Sequence, residues 1–372
     1  MKKKLISLLF ALILTVGVFP GVTAGAENSA DFILPFYTKQ LSERQLEEYI
    51  DIRNAVLNGK SSYTFSETIR TQAEANKIIA NAQIYLQLLL FYDTYTFNLE
   101  DFTQVNVNSG GGQQLKLKFD YYYTQKSFKT IITRLNEAWD EVSEALADMT
   151  GDVAKIKYIH DYIAEKADYD LNSKNNDLAY GALYLGKAKC DGYAYAFQYL
   201  AEKAGYEVTV ALDDGTESEP GHAWNKIKVG KSWYNIDITN NDYTDDTGFV
   251  FYDYFMLADS EYKAADEWDD PYIKEVKAAN KKNSYHEMYK LTADTAEEAL
   301  AAINAVVKTK KNSDSKYLVT YQLTSKEEFK RLEDFFTNKK SELRKSLGVS
   351  NSADLEWYFA DDVLNVNLIV SN

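Results

Sequence analysis

Cys190 is the only cysteine in a chain of 372 residues, and it lies in the stretch KCDGYAYAFQYLAEKAGYEV at positions 189–208. Behind it Tyr193, Phe197, Leu200, Ala201 and Ala204 recur at helical spacing, and Gly205 supplies a stop. The spacing predicts a helix that carries the thiol in its first turn. Unpaired backbone N–H groups and the positive end of the helix dipole gather there, and both favour thiolate over thiol. A thiolate attacks carbonyl carbon, and the same amides can donate to the oxyanion that results. Gly186 and Gly192 flank the cysteine with residues that permit close backbone approach.

Such a nucleophile needs a base, and the chain offers three histidines. His160 falls in a helix beside the apolar face of Ile156, Ile159 and Ile163, so a structural or surface role is expected. His286 reads as the start of a strand near the C-terminal end, far from other candidates. His222 follows the loop DDGTESEPG and opens the strand HAWNKIKV, with a second strand, WYNIDIT, after Gly230-Lys231. If those two residues form the hairpin loop, Trp224 faces Asp237 and His222 lies one diagonal away on the same face. A shift of two residues would set His222 directly opposite Asp237. Cys190 would then be the nucleophile, His222 its base and Asp237 the acid that orients the imidazole. Taken singly, each has a blander role: a small buried hydrophobe, a solvated histidine, a turn-capping acid. It is their joint placement that points to chemistry.

Around this set, residues 41–58 read as an amphipathic helix ending at Gly59. Residues 62–125 read as strand, helix and two strands, with a loop at Ser109-Gly110-Gly111-Gly112. QLKLKFDYYYT alternates as a half-buried strand does. A long helix is expected over 127–147, broken near Thr150-Gly151, then a second carrying Val153, Ile156, Ile159 and Ile163 on one face. One short helix and several strands fill 178–265. Residues 284–372 read as strand, helix, strand, helix, strand, strand, with capping boxes at Thr295-x-x-Glu298 and Ser325-x-x-Glu328. This last region has no charged cluster or motif that suggests chemistry, so packing or partner binding is expected of it.

The runs YGALYLGKAKCDGYAYAFQYLAEKAGYEV, GHAWNKIKVGKSWYNIDITNND and YFMLADSEY resemble the bacterial transglutaminase-like superfamily. Cys190, His222 and Asp237 occupy the positions of its cysteine at a helix start, its H-A-W-N strand and its aspartate on the next strand. IHDYIAEKADYD is similar to the helix that precedes that core, and the resemblance covers about 150–265. Members often have proline after the aspartate and a tryptophan soon afterwards. Here Ile238 follows Asp237, then Asn240-Asn241, which leaves the triad intact but alters the cleft wall beside it. The resemblance implies an α+β fold with a papain-like core, in which a nucleophile helix packs on an antiparallel sheet. It also implies acyl transfer on protein or peptide amides by a cysteine-protease-type thiol enzyme. Hydrolysis needs fewer special features than cross-linking and is the favoured outcome. The competing reading is a non-catalytic extracellular binding or adhesion protein with a vestigial triad.

The domain division that follows is 1–26 signal peptide, 27–148 N-terminal α+β region, 149–268 catalytic core and 280–372 C-terminal α+β domain. Lys2, Lys3 and Lys4, an apolar run at 5–19 and the A-x-A site Ala24-Gly25-Ala26 predict a secretory signal cleaved before Glu27. The apolar run is short for a membrane span, with a retained anchor the lesser reading, so no stable span is expected after cleavage. A secreted chain of this kind is compatible with a cell-surface partner. Its single cysteine rules out an intramolecular disulfide. The formal charge of −15 repels phosphate backbones, and no basic stripe offsets it, which argues against nucleic acid. No metal or other cofactor is expected. The histidines and cysteine lack ligand spacing, and NNDYTDDTG lacks the order of a calcium loop. The 29 tyrosines read as amphipathic packing rather than a carbohydrate- or peptide-stacking surface.

Overall fold

Ser42 starts the first helix by a reciprocal cap: its Oγ accepts the Gln45 N–H, and its own N–H donates to Gln45 Oε1 at 3.0 Å. The computed structural model describes residues 36–66, 69, 71–89, 105–106, 113–119, 125–213, 221–262, 276–310 and 315–371. The signal peptide expected at 1–26 and the loop at Ser109–Gly112 lie outside them. Helix α1 (Glu43–Leu57) packs on α2 (Gln72–Leu89) through buried Tyr49, Ile52 and Val56 against Ile78 and Ile79. Between and after them come strands β1 (Ser62–Thr64), β2 (Val105–Asn106), β3 (Gln113–Gln114) and β4 (Lys116–Lys118). β1 pairs antiparallel with β4, and β2 with β3. Helices α3 (Gln125–Ala147) and α4 (Asp152–Lys166) follow, separated by Gly151 at φ 87°, a conformation that suits glycine. Ile156, Ile159 and Ile163 of α4 are buried, as their spacing predicts.

The core then forms from β5 (Asp168–Tyr169), β6 (Lys187–Ala188) and α5 (Cys190–Lys203). β5 and β6 pair in parallel, and the π-turn Gly181–Leu185 precedes β6. A Cβ at Gly192 would lie 2.3 Å from the Asn176 carbonyl oxygen, so only glycine lets the 170–178 loop reach the helix start. Strands β7 (Glu207–Asp213), β8 (His222–Val229) and β9 (Ser232–Ile236) follow. Gly230 and Lys231 form the two-residue turn that the sequence predicts. Val229 pairs with Ser232, Lys226 with Asn235, and Asn225 with Ile236, one step short of Trp224 and Asp237. After the short pair β10 (Asp242–Tyr243) and β11 (Phe249–Val250), β12 (Phe255–Leu257) completes an antiparallel sheet in the order β12-β9-β8-β7. Helix α5 lies on this sheet, and buried Asn225 fixes the two together by donating to the Ala194 carbonyl at 3.0 Å.

The C-terminal sheet consists of β13 (Thr292–Ala293), β14 (Tyr317–Leu323), β15 (Asp354–Ala360) and β16 (Asn365–Ser371), in the order β13-β14-β16-β15. Helices α6 (Ala296–Thr309), α7 (Lys326–Asn338) and α8 (Lys340–Leu347) bury Ile303, Phe329, Phe336 and Leu343 with Val319, Leu368 and Val370 of the sheet. Two expectations change here. His286 sits in a helical turn, Tyr285–Met288, and the first strand comes later, at β13. The second predicted helix is two helices that meet at Lys339, whose φ of −125° is not helical. The caps are half-boxes. Thr295 and Ser325 each accept the expected N–H, but Glu328 reaches across to the Ala296 N–H at 2.9 Å and joins α7 to α6.

Candidate active site

Helix α5 begins at Cys190, one residue after the two-residue strand β6, and its extended N-cap residue Lys189 makes no side-chain capping bond. The Lys189 N–H donates to the Asn176 carbonyl at 2.8 Å, and Lys189 Nζ pairs with Asp191 at 3.0 Å. The thiol is half-buried and unpaired with any other cysteine. The sequence-predicted helical tip is therefore present, with the sulfur at its first position.

His222 opens β8, also half-buried. Its Nε2 lies 2.7 Å from Asp237 Oδ2, and Cys190 is its second side-chain partner. Because Nε2 is committed to the carboxylate, Nδ1 is the ring nitrogen left for the sulfur. Trp224 stacks on the imidazole, with ring centroids 6.1 Å apart and planes at 15°, which fixes the ring's tilt. Burial opposes the imidazolium, but the charge and hydrogen bond of Asp237, with a smaller contribution from Cys190, raise His222 to about 10.

Asp237 sits just past the end of β9 and is almost fully buried. A buried carboxylate is costly unless it is hydrogen-bonded, and this one has four donors. Besides His222, Asn240 gives its backbone N–H to Oδ1 at 3.1 Å and its side-chain amide to Oδ2 at 2.7 Å. Tyr262 gives its hydroxyl to Oδ2 at 2.6 Å. Burial would raise the carboxyl, but the facing imidazolium, Tyr262 and the Asn240 N–H hold it below its ordinary value. Tyr262 itself is held well above the usual phenol range by burial and by Asp237, so it stays a donor.

Sequence reading missed Asn240 and Tyr262. Asn240 carried a local signal, since an aspartate whose side chain accepts the N–H three residues on is a common turn former. Tyr262 ends the quoted run YFMLADSEY, but 25 positions along the chain from Asp237 nothing in the run assigns it to that carboxylate. The structure brings Cys190, His222 and Asp237 together and leaves the other two histidines out. His160 is buried between Asp161 and Asn241, at 3.0 Å from each, and joins α4 to the turn that follows Asp237. His286 is buried against Thr320 Oγ1 at 2.9 Å. Among the described residues no cluster of histidine, cysteine or acid side chains could hold a metal, and no helix is long and apolar enough to cross a membrane.

Residues 140–238 match the sequence pattern of the transglutaminase-like superfamily, a span that contains Cys190, His222 and Asp237. Two solved structures are similar. One, described as a candidate cysteine protease from Cytophaga hutchinsonii, is 15% identical over 37% of this chain and 61% of its own, with a TM-score of 0.25. The other, described as a TGase, is 16% identical over 36% of this chain and 43% of its own, with a TM-score of 0.26. The chain thus spans less than two thirds of either structure. No curated protein matches it.

Proposed function

With residues 140–238 forming a transglutaminase-like core, we propose that the chain is a thiol enzyme transferring acyl groups from protein or peptide amides through Cys190, His222 and Asp237. The observation that carries this reading is the pair of partners on one imidazole: Nε2 faces a buried, four-donor carboxylate, and Cys190 is the other side-chain partner of the ring.

In the reaction, the thiolate attacks the amide carbon and the carbonyl oxygen becomes an oxyanion. Backbone N–H groups at the start of α5 lie beside that carbon and supply donors. His222 then gives its proton to the leaving nitrogen, the C–N bond breaks, and a thioester remains on Cys190. Water attacks the thioester and loses its proton to His222, and the C–S bond breaks to release the acid and restore the thiolate beside a protonated His222. Asp237 keeps the imidazole in one tautomer and orientation throughout. An amine in place of water would give cross-linking. Hydrolysis is the outcome proposed here, because it needs no acceptor site. The basic start, apolar run and A-x-A site at 1–26 support export, so the substrate would be extracellular.

The test is acid-quenched single turnover with glutamine-containing peptides, read by intact mass and by ammonia release. We expect an acyl adduct on Cys190 and ammonia without amine incorporation, both lost in Cys190→Ala at unchanged thermal stability. Ammonia release that survives Cys190→Ala would end the reading and leave a secreted binding module.

A further inference from the structure

The hairpin β15–β16 of the C-terminal sheet reaches back to the acid of the site by two separate routes. The first is polar. Asn365 and Asn367 on β16 donate their side-chain amides to the two oxygens of Asp253, at 3.2 and 2.7 Å, and all three residues are buried. The next carbonyl along the chain, that of Tyr254, accepts the backbone N–H of Asp237 at 3.0 Å, and the Tyr254 N–H donates to Asn241 Oδ1 at 2.9 Å. The side chain that the hairpin grips is therefore one peptide unit from the atom that holds the backbone of Asp237.

The second route is apolar. Val363, in the turn of the hairpin, is 3% exposed and packs in one cluster with Trp224, Leu257 and Tyr262. Trp224 is the ring stacked on His222, and Tyr262 is the hydroxyl on Asp237. Tyr262 is held edge-on to Trp224 at 5.4 Å and to Tyr254 at 5.6 Å, so its hydroxyl has little freedom. A third tie, Tyr254 Oη to Asp362 at 2.6 Å, closes the turn over this cluster.

We infer that Val363 and Asp253 are positioning residues of the acyl-transfer site: the C-terminal hairpin, through them, holds Asp237 and hence the His222 imidazole in line with Cys190. The inference rests on the acyl-transfer reading for its catalytic consequence, but its geometric content does not. Asp253 is also held up, at about 7, mainly by burial, in keeping with a carboxyl that is enclosed by the hairpin rather than by water. Among the described residues the Oδ1 atoms of Asn365 and Asn367 have no partner, so an amide at position 253 could turn and donate there.

The experiment compares the full chain with Val363→Ala, Asp253→Ala, Asp253→Asn and Leu332→Ala. Leu332 is 1% exposed on the helix side of the same sheet, so its loss empties that core without touching Trp224 or Tyr262. Two quantities are read: kcat and KM for peptide hydrolysis, and the alkaline step in the pH profile of alkylation of the single thiol by iodoacetamide. Loosened alignment acts on the transition state, so Val363→Ala and Asp253→Ala should lower kcat about 10-fold with KM changed less than about twofold. Weaker coupling of His222 to Asp237 should move the alkaline step down by about one unit in both. Asp253→Asn should recover most of each loss, and Leu332→Ala should lose stability without moving either. If the wild type turns over and Val363→Ala and Asp253→Ala keep its kcat and its alkaline step, the inference is overturned. If the wild type shows no turnover while the step still moves in those two variants alone, the acyl-transfer reading falls and the positioning role stands.

Discussion

His222 and His286 are both withdrawn from water, yet the molecule drives them in opposite directions. At the end of β8 the imidazole meets the Asp237 carboxylate and is raised to about 10. Against β14 the imidazole meets the hydroxyl of Thr320 and no carboxylate among the described residues, its Nδ1 has no partner among them, and burial lowers it to about 3. Burial penalises the cation in both places, so the partner decides the sign. The C-terminal histidine is a neutral packing element, and the other holds a proton that it can hand over.

The two regions must therefore give opposite pH dependences of stability. His222 is raised above its unfolded value, so its contribution is complete below about 6.5 and is lost as pH rises through about 10. His286 is depressed, so its contribution is complete above about 6.5 and is lost as pH falls towards about 3.

The strongest way to break the contrast is to make the His222 partner neutral. Asp237→Asn keeps the size of the side chain but removes the charge, and it should lower kcat by about 10²–10⁴-fold, by analogy with triad acids elsewhere. Peptide hydrolysis checks this, and a kcat within twofold of wild type would rule out an orienting role for Asp237. A smaller effect is expected from Tyr262→Phe, which removes one of four donors to that carboxylate. A single hydrogen bond to a charged group contributes about 1.5–3 kcal/mol, so kcat should fall by roughly 10- to 100-fold, with KM nearly unchanged. The smallest effect on activity should come from the other region. His286→Gln should leave turnover as it is and flatten the loss of stability between about pH 6 and 4, measured by urea unfolding across that range.

Much of this site was legible because its signals are local. Helical spacing after Cys190 gave the helix tip, and the two residues Gly230-Lys231 fixed the register that carries His222 and Asp237 to one end of the sheet. The capping residues Ser42, Thr295 and Ser325 each accept a helix N–H, the last two at the positions read from spacing. What escaped was non-local. Tyr262, Asp253 and Val363 reach the site only after the chain has folded across itself, and no periodicity marks them. His286 reads as opening a strand, whereas it lies in a single helical turn that packs against Thr320 of β14, a contact 34 positions away in the chain. The C-terminal region looked inert for the same reason, since its contribution lies in the buried polar face of a sheet and the turn of a hairpin.

The most direct measurement is an NMR titration of the histidine ring protons in the full chain, with His222 assigned by its loss in His222→Gln. His222 is expected to keep its proton beyond pH 8, to release it near 10, and to titrate lower in Asp237→Asn. A His222 that loses its proton near its ordinary value of 6.5, or whose titration ignores the change at Asp237, would contradict this.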